Sequence, residues 1–370
     1  MLCLLMLFLK ELVDMRTTNT SLQGFAVAVT MVACSLIAAD TALVDGIAFI
    51  VCGRNKNFTR FAKLSVRITI CVVAVVILSS LMGVIKNYYG WSGGRMRYFL
   101  GFRYALYPAS YLFFTTCAIV YIKGNRLTLP QTIAIIACDV VIFHFTQSRM
   151  SFLLSLLVSL LAFVYASRQR RYPEQTVHQM SPRMTMLCSS IFFIAALASF
   201  TLVFLYTPSN QLMIALDHSN FLGGRLAISH EAISVHKIGL LGREMHFSGA
   251  ALGVDGVMLT HEHYDYIDNF YIKIALNYGL VFLLLFLMLQ TKLLWNACQE
   301  GNHILVVVLI AIALHCILDN AALHLYYNPF LFLMGGLMTA KETTGRHMRK
   351  YRKRPSKATY TSKASGWAKR

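Results

Sequence analysis

Long apolar runs separated by short polar connections dominate this chain. Most runs are continuous enough to be helices that cross a bilayer, and they lack the polar–apolar alternation of membrane β-barrel strands. The pattern predicts an all-α, polytopic integral membrane protein with about ten or eleven transmembrane helices. The predicted segments are 1–9, 25–39, 41–52, 64–84, 105–122, 130–146, 150–166, 186–206, 270–290, 302–320 and 325–340.

Positive residues in the short connections predict an orientation, because Lys and Arg collect in cytoplasmic loops. The connections 85–104, 147–149, 207–269 and 321–324 then face outward. This divides the chain into a membrane domain, 1–340, with a long outward loop at 207–269, and a basic cytoplasmic tail, 341–370. The residues that mark the cytoplasmic side are Arg54, Lys56, Arg60, Lys63, Lys123, Arg126, Arg168, Arg170, Arg171 and Lys292.

Composition supports a membrane protein and limits the kinds of site to expect. The 370 residues are 57% hydrophobic and only 14% charged, against about 25% charged in soluble domains. The net charge of +18 is concentrated in the connections and the tail, where eleven Lys or Arg accompany one acid. It therefore favours cytoplasmic placement and contact with anionic lipid over nucleic-acid binding. The nine cysteines fall in or beside apolar runs, so we expect neither disulfides nor a thiolate metal site.

Five of the arginines on the predicted outward side stand out, because positive charge there opposes the usual bias. Such residues can bind an anionic ligand at the outer membrane face. The alternative is that they reach to the interface or pair with acids of the same loops. They are Arg95, Arg97 and Arg103 in the first outward loop, Arg149 in a tight turn, and Arg225 in the long loop.

The long loop holds six of the twelve histidines and most of the distinctive polar sequence. Apolar positions after Gly223 and Gly224 predict a surface helix over 225–238. Its start, beside Arg225, is a potential phosphate site, although packing alone would explain the same pattern. Asp268, at the other end of the loop, is a candidate proton acceptor. It could equally be the N-cap of the helix that follows.

Other polar residues carry weaker signals. His261, Glu262 and His263 lack the spacing of a helical zinc pair, so we expect hydrogen bonds to a ligand, or a solvated loop, and no bound metal. Tyrosines and tryptophans of the outer loops could stack on a ligand or lie at the membrane interface. Asp139 and His144, inside a predicted span, could form a proton path or join helices by hydrogen bonds.

The order of these motifs resembles the O-antigen ligase and polymerase superfamily, and within it the Wzy-type polysaccharide polymerases. The match consists of an outward Gly-x-Arg loop, a Ser-Arg turn between spans, a Gly-Arg-Leu near the start of the long loop, and an Asp-Asn-x-Tyr-Ile at its end. Ligases of this superfamily have His-Asn at the last position, so Asp268 favours a polymerase. The resemblance implies a GT-C-like fold, a polyprenyl-diphosphate-linked oligosaccharide substrate and no cofactor.

The resemblance also assigns roles to residues of this chain. Arg149 and Arg225 would act on the diphosphate of the donor, and Asp268 on the acceptor hydroxyl, as the catalytic set. Substrate-binding residues would be Arg95, Arg97, Arg103, Asn269, Tyr271, His261 and His263. The reaction would take place at the outer face of the cytoplasmic membrane, with membrane lipids, a flippase and a chain-length regulator as partners. A ligase, or a transporter of the lipid-linked unit, remains an alternative.

Overall fold

The computed structural model describes residues 22–338, except 93, 173–179, 220–221, 254–256 and 258–263. The predicted segment 1–9 and the tail 341–370 therefore lie outside the described residues. In chain order the α-helices are α1 Leu22–Ile37, α2 Thr41–Cys52, α3 Phe58–Leu81, α4 Tyr107–Lys123, α5 Leu129–Thr146, α6 Arg149–Arg171, α7 Pro182–Ser189, α8 Ile191–Leu205, α9 Gln211–Asp217, α10 Arg225–His236, α11 Phe270–Asn277, α12 Gly279–Gln299, α13 His303–His315 and α14 Leu333–Gly336. Short 3₁₀ helices cover Gly124–Arg126, Ala321–Leu323 and Pro329–Phe332.

The all-α membrane class is confirmed, but with fewer full-length spans than the sequence predicts. Within the described residues, α3, α5, α6 and α12 are long and apolar enough to cross a bilayer. The pair α7–α8, bent by 49°, would make a fifth span. Three further apolar helices, α1, α2 and α13, are shorter. In the described part of the apolar run 325–340, up to Met338, the helices are the 3₁₀ helix Pro329–Phe332 and the four-residue α14.

Among the described residues, one β-hairpin interrupts the helical architecture and lies in the connection 85–104, which the sequence predicts to face outward. Strand β1, Tyr89–Ser92, pairs antiparallel with β2, Arg95–Tyr98, and Gly94 between them has φ 71°. The all-α prediction missed this element. Its two strands have only four residues each, which is short for an alternating pattern to stand out.

The core lies between α4, α6, α12 and α13, where aromatic and branched side chains are fully buried. Phe113 and Phe114 of α4, Val158 of α6, Phe282 of α12 and Val308 of α13 are all 0% exposed. Many apolar side chains elsewhere on the helices remain uncovered by protein, as on α3. Such a distribution is typical of helices whose outer faces contact lipid.

A single glycine explains why the predicted span 270–290 is two helices. Gly279, the first residue of α12, follows the end of α11 by two residues and has φ +85°, a conformation that side chains disfavour. The loop that contains Leu240 and Leu241 packs closely against this position, and a Cβ on Gly279 would lie 2.5 Å from the Leu240 carbonyl oxygen. Backbone hydrogen bonds from Leu280 and Val281 to this loop fix the approach.

Replacing Gly279 by alanine should therefore destabilise the protein by about 2–4 kcal/mol, the sum of the backbone strain and the displaced loop. The measurement is thermal unfolding of the detergent-purified protein, followed by size-exclusion chromatography. Gly46→Ala is the control, because a Cβ there meets nothing within 4 Å. Equal stability of the two variants would show that the loop is not held against Gly279.

Candidate functional site

A cavity of about 580 Å³ opens where the hairpin, the α5–α6 turn, the start of α10 and the end of the long loop meet. Five residues singled out in the sequence line it together: Arg95, Arg97, Arg149, Arg225 and Asp268. They come from four separate places in the chain. This convergence makes the cavity the candidate active site, and its size is in the range of small-ligand sites.

The register of the hairpin places two of the arginines. Arg95 and Arg97 alternate along β2 and so share one face of the hairpin, and Arg97 lies opposite Gly90, which has no side chain to cover it. The Nε atoms of both arginines are buried without a hydrogen-bond partner among the described residues. Arg95 Nη1 lies 3.5 Å from the Gln147 carbonyl oxygen, at the limit of a hydrogen bond.

The electrostatics of the cavity favour an anion. Burial lowers the pKa of Arg95, and the guanidinium groups of Arg149, Arg97 and Arg225 lower it further. Burial also lowers the pKa of Arg97. Four guanidinium groups line the cavity against the two carboxylates of Asp268 and Asp319. The excess of two positive charges matches a diphosphate, and the unpartnered Nε atoms are donors that phosphate oxygens could accept.

Arg149 is placed by the tight turn between two helices. Gln147, at φ 54°, ends α5, and α6 begins at Arg149. A cation at the N-terminus of a helix lies at the positive end of the helix dipole, which opposes it. An anionic ligand in the cavity would weaken this repulsion.

Arg225 and Asp268 form the ion pair at the centre of the site. Arg225 Nε donates to Asp268 Oδ2 at 2.8 Å, with side chains only 21% and 12% exposed. Arg225 Nη1 also donates to the Leu222 carbonyl oxygen at 3.0 Å. Two contacts fix the orientation of the guanidinium group and leave its remaining N–H donors available for a ligand.

The predicted helix after Gly223 and Gly224 is confirmed over Arg225–His236, but its start does not offer free N–H groups to a phosphate. Asp217, 0% exposed, accepts hydrogen bonds from the backbone N–H of Leu226 at 2.8 Å and of Ala227 at 3.2 Å. The helix start is thus satisfied by a carboxylate of the chain itself. Asp217 lies nine residues before Leu226, beyond the range of local capping patterns, so the sequence did not reveal it.

Asp268 is not the N-cap of α11, because Asn269 takes that role. Asn269 Oδ1 accepts hydrogen bonds from the backbone N–H of Tyr271 at 3.0 Å and of Ile272 at 3.1 Å. Tyr271 is 0% exposed and donates its hydroxyl to the Ala313 carbonyl oxygen at 2.8 Å. Asn269 and Tyr271 therefore hold the site in place, and neither lines the cavity as a substrate-binding residue would.

The Asp268 carboxyl is tuned by two opposing effects. Burial raises its pKa above the ordinary range, and the Arg225 guanidinium counteracts part of that rise. A carboxylate of raised pKa is a better proton acceptor than an exposed one, since proton transfer improves as its pKa approaches the working pH. Both the geometry and the charge allow Asp268 to accept a proton from a substrate hydroxyl.

Three predicted substrate contacts are not among the residues that line the described cavity. Arg103 donates its Nε to the Leu252 carbonyl oxygen at 2.9 Å and does not line the cavity, so it holds the long loop against the first outward loop. This placement gives no support to its prediction as a substrate contact. His261 and His263 lie outside the described residues. Among the residues that the structure does describe, no group of three His, Cys, Asp or Glu could hold a metal ion.

The sequence did not single out His315 and Ser151, which line the deeper part of the cavity. His315 Nε2 lies 3.1 Å from Ser151 Oγ and 3.9 Å from Asp319 Oδ2, and its ring stacks on Phe113 at 4.3 Å. Ser110 donates to the same Asp319 oxygen at 2.7 Å. Because one nitrogen faces both serine and aspartate, this is not a catalytic triad, and it joins α4, α6 and the end of α13.

The intramembrane acid noted in the sequence joins two helices. Ser155 of α6 donates its hydroxyl to Asp139 Oδ2 of α5 at 2.6 Å, and Asp139 is 3% exposed. His144 is exposed, with its ring edge against Phe145. This contact favours the interpretation in which Asp139 ties helices together.

A second cavity, of about 710 Å³, lies at the other end of the helices. It is lined by Lys123 of α4 and Arg170 of α6, whereas Arg149 of α6 lines the first cavity. Twenty-one helical residues separate the two arginines, about 30 Å along the axis, which is the thickness of the hydrocarbon core of a bilayer. The second cavity is larger but open, and it contains none of the predicted site residues.

No protein-family model, no curated protein and no solved structure matches this chain. Its function must therefore be argued from the residues of the first cavity.

Proposed function

We propose that this protein is a membrane glycosyltransferase that polymerises polyprenyl-diphosphate-linked oligosaccharide units into surface polysaccharide at the outer face of the cytoplasmic membrane. The observation that carries the proposal is the cavity itself. Four arginines and an ion-paired carboxylate, from four separate places in the chain, line one space at the end of α5 and the start of α6.

The proposed reaction uses the two kinds of group for different tasks. The hydroxyl of an acceptor sugar attacks the anomeric carbon of the donor, and the bond from that carbon to the diphosphate oxygen breaks. Asp268 accepts the hydroxyl proton. Arg95, Arg97, Arg149 and Arg225 stabilise the negative charge that grows on the departing diphosphate, because fixed guanidinium groups in a poorly hydrated site stabilise such charge strongly. A GT-C-like relationship is part of the same proposal.

The position of the charges favours this reaction over transport. A transporter of the lipid-linked unit would need polar groups near the middle of the membrane along its path. The intramembrane Asp139 is instead bonded to Ser155 and buried, while the arginines gather at one end of the helices. A ligase would use the same cavity with a different acceptor, and Asp268 in place of a histidine favours the polymerase.

The test is the glycan profile of cells that lack this chain. We expect single repeat units to accumulate on the lipid carrier at the outer face, and wild-type protein to restore long polymer. Periodate labelling of intact cells, which reaches only the outer face, locates the carrier-linked unit. A unit trapped on the cytoplasmic face would make translocation the function, and full-length polymer that fails only to reach its final acceptor would make the protein a ligase.

A further inference from the structure

The hairpin has two chemically different faces. In an antiparallel pair, residues directly opposite each other share a face, and the faces alternate along each strand. The register pairs Tyr89 with Tyr98 and Trp91 with Met96. These four residues therefore form one side, here called the apolar face, while Arg95 and Arg97 form the basic face.

The apolar face is exposed although its residues are large. Trp91 is 71% and Tyr89 59% exposed. Water would leave this much aromatic surface unfavourably hydrated, and the described protein does not cover it. Tyr89 and Trp91 are also among the residues that line the first cavity, so the apolar face adjoins it.

The apolar face continues into surfaces that contact lipid. Tyr98 packs edge-on against Phe145 at 5.9 Å. Phe145 lies one turn after Val141 of α5, a candidate span, and Val141 is 55% exposed. On the other side the hairpin follows α3, also a candidate span, through Met82 and Val84, which are 72% and 76% exposed. Exposed apolar residues of two spans thus lie beside the hairpin, one span through the Tyr98–Phe145 contact and the other just before it in the chain.

We propose that the apolar face of the hairpin is embedded in the headgroup region of the bilayer and holds the basic face at the depth of the lipid phosphates. Tyrosine and tryptophan favour this region because their rings are apolar and their polar groups still reach water. The occupant of the apolar face is therefore lipid, and not a sugar or a second protein.

The placement deepens the proposed function and rests on it in one respect. If the substrate is a polyprenyl diphosphate, its two phosphates lie at the level of lipid headgroups while its chain stays in the bilayer. Arginines held at that level can bind the diphosphate without lifting the chain into water. The burial of the apolar face itself does not depend on which reaction the cavity performs.

The experiment measures the depth of Trp91 in a bilayer. The chain contains three tryptophans, Trp91, Trp295 and Trp367, so the variant Trp295→Phe/Trp367→Phe leaves Trp91 as the only emitter. In nanodiscs we expect blue-shifted emission and about a twofold loss of fluorescence when the lipids carry bromine near the headgroup end of the acyl chains. Bromine near the end of the chains should quench less, and iodide in the aqueous phase should have little effect.

A variant that keeps only Trp295, which lies in the last turns of α12 and is 45% exposed, shows how strongly the brominated lipids quench a span residue. Trp91 emission like that of free tryptophan, quenched by iodide and not by brominated lipid, would overturn the proposal. A change in Trp91 emission on adding soluble oligosaccharide, without quenching by lipid, would also overturn it and make the apolar face a sugar platform.

An activity measurement separates this inference from the proposed function. Trp91→Ala should lower turnover of a long-chain lipid-linked donor in nanodiscs several-fold, while Trp91→Tyr, which keeps an interfacial ring, should restore it. Loss of activity in both variants with lipid-embedded emission would place the ring in the chemistry. Normal turnover of Trp91→Ala would show that the contact with lipid does not position the arginines.

Discussion

Replacing Arg225 by alanine should abolish long polymer while the protein still inserts into the membrane. Arg225 holds the carboxylate of Asp268 directly, at 2.8 Å. Its loss removes a cation from the leaving-group site and leaves a buried carboxylate without its counter-ion. Removing a single fixed donor from a site of developing negative charge costs about a hundred- to a thousandfold in rate.

Arg225→Lys should retain part of the activity and so distinguish charge from geometry. Lysine keeps the positive charge but cannot donate to Asp268, to the Leu222 carbonyl oxygen and to a phosphate in the same fixed orientation. We expect a loss of about tenfold or more, smaller than that for alanine. The readout is polymer length and amount in cells that lack the chain, with the level of inserted protein measured in the membrane fraction.

Arg126→Ala is the control, because Arg126 is exposed and lines only the cavity at the other end of the helices. It should leave polymer synthesis intact. If Arg225→Ala restores wild-type polymer at equal protein level, the first cavity is not the active site. If Arg126→Ala fails as severely as Arg225→Ala, the loss reflects the general positive charge of the protein.

The convergence of the outward arginines could be predicted from the sequence because it depends on two robust signals. Apolar runs locate the membrane, and positive residues mark its cytoplasmic side, so Arg149 and Arg225 stand out as exceptions. Short loops between spans then bring such residues to one face. Asp268 could be linked to them because it ends the only long polar loop.

The sequence was less informative about features that depend on nonlocal contacts or on a choice between neighbouring residues. Asp268 and Asn269 are adjacent acceptors, and a local pattern cannot decide which one caps the helix and which one forms an ion pair. Asp217 accepts a hydrogen bond from Leu226 at the start of α10, nine residues later in the chain, which is too far for a local pattern to reveal. In the sequence His315 is a single polar residue in an apolar run. In the structure its ring contacts α4, α6 and the segment that follows α13.

The span count failed for a physical reason of its own. Hydropathy measures whether a run is apolar, and not whether its helix is continuous. The apolar run 270–290 is interrupted at Gly279, because a closely packed loop occupies the space that a side chain would need there. The sequence does contain a pattern typical of a hairpin, the Gly93–Gly94 pair between two short alternating segments. The prediction did not include it because the helical pattern around it is stronger.

Asp268→Asn should produce the second large loss and change the pH dependence of the reaction. Asparagine keeps the shape of the aspartate side chain but cannot take the proton from the hydroxyl group of the acceptor sugar. The rate should therefore fall by about a hundred- to ten-thousandfold. In the wild type, Asp268 must be deprotonated to act. Since burial raises its pKa, activity should fall on the acid side at a higher pH than the ordinary aspartate value of about 4.

The pH profile is measured with purified protein in nanodiscs and a lipid-linked donor. Asp265→Asn is the matched control: Asp265 lies in the same loop and accepts a hydrogen bond from the Ser248 N–H, but it does not line the cavity. It should keep the wild-type profile. An acid limb that persists unchanged in the residual activity of Asp268→Asn would assign the titration to another group.

A double-variant cycle then tests whether the ion pair acts as one unit. If Arg225 positions Asp268 and Asp268 orients Arg225, the combination of Arg225→Met with Asp268→Asn should be little worse than the more damaging single variant, because residues in one network are not additive. Independent roles would instead multiply the two losses. Multiplied losses would mean that the 2.8 Å contact is dispensable in the working enzyme, and that Asp268 meets the acceptor sugar without help from Arg225.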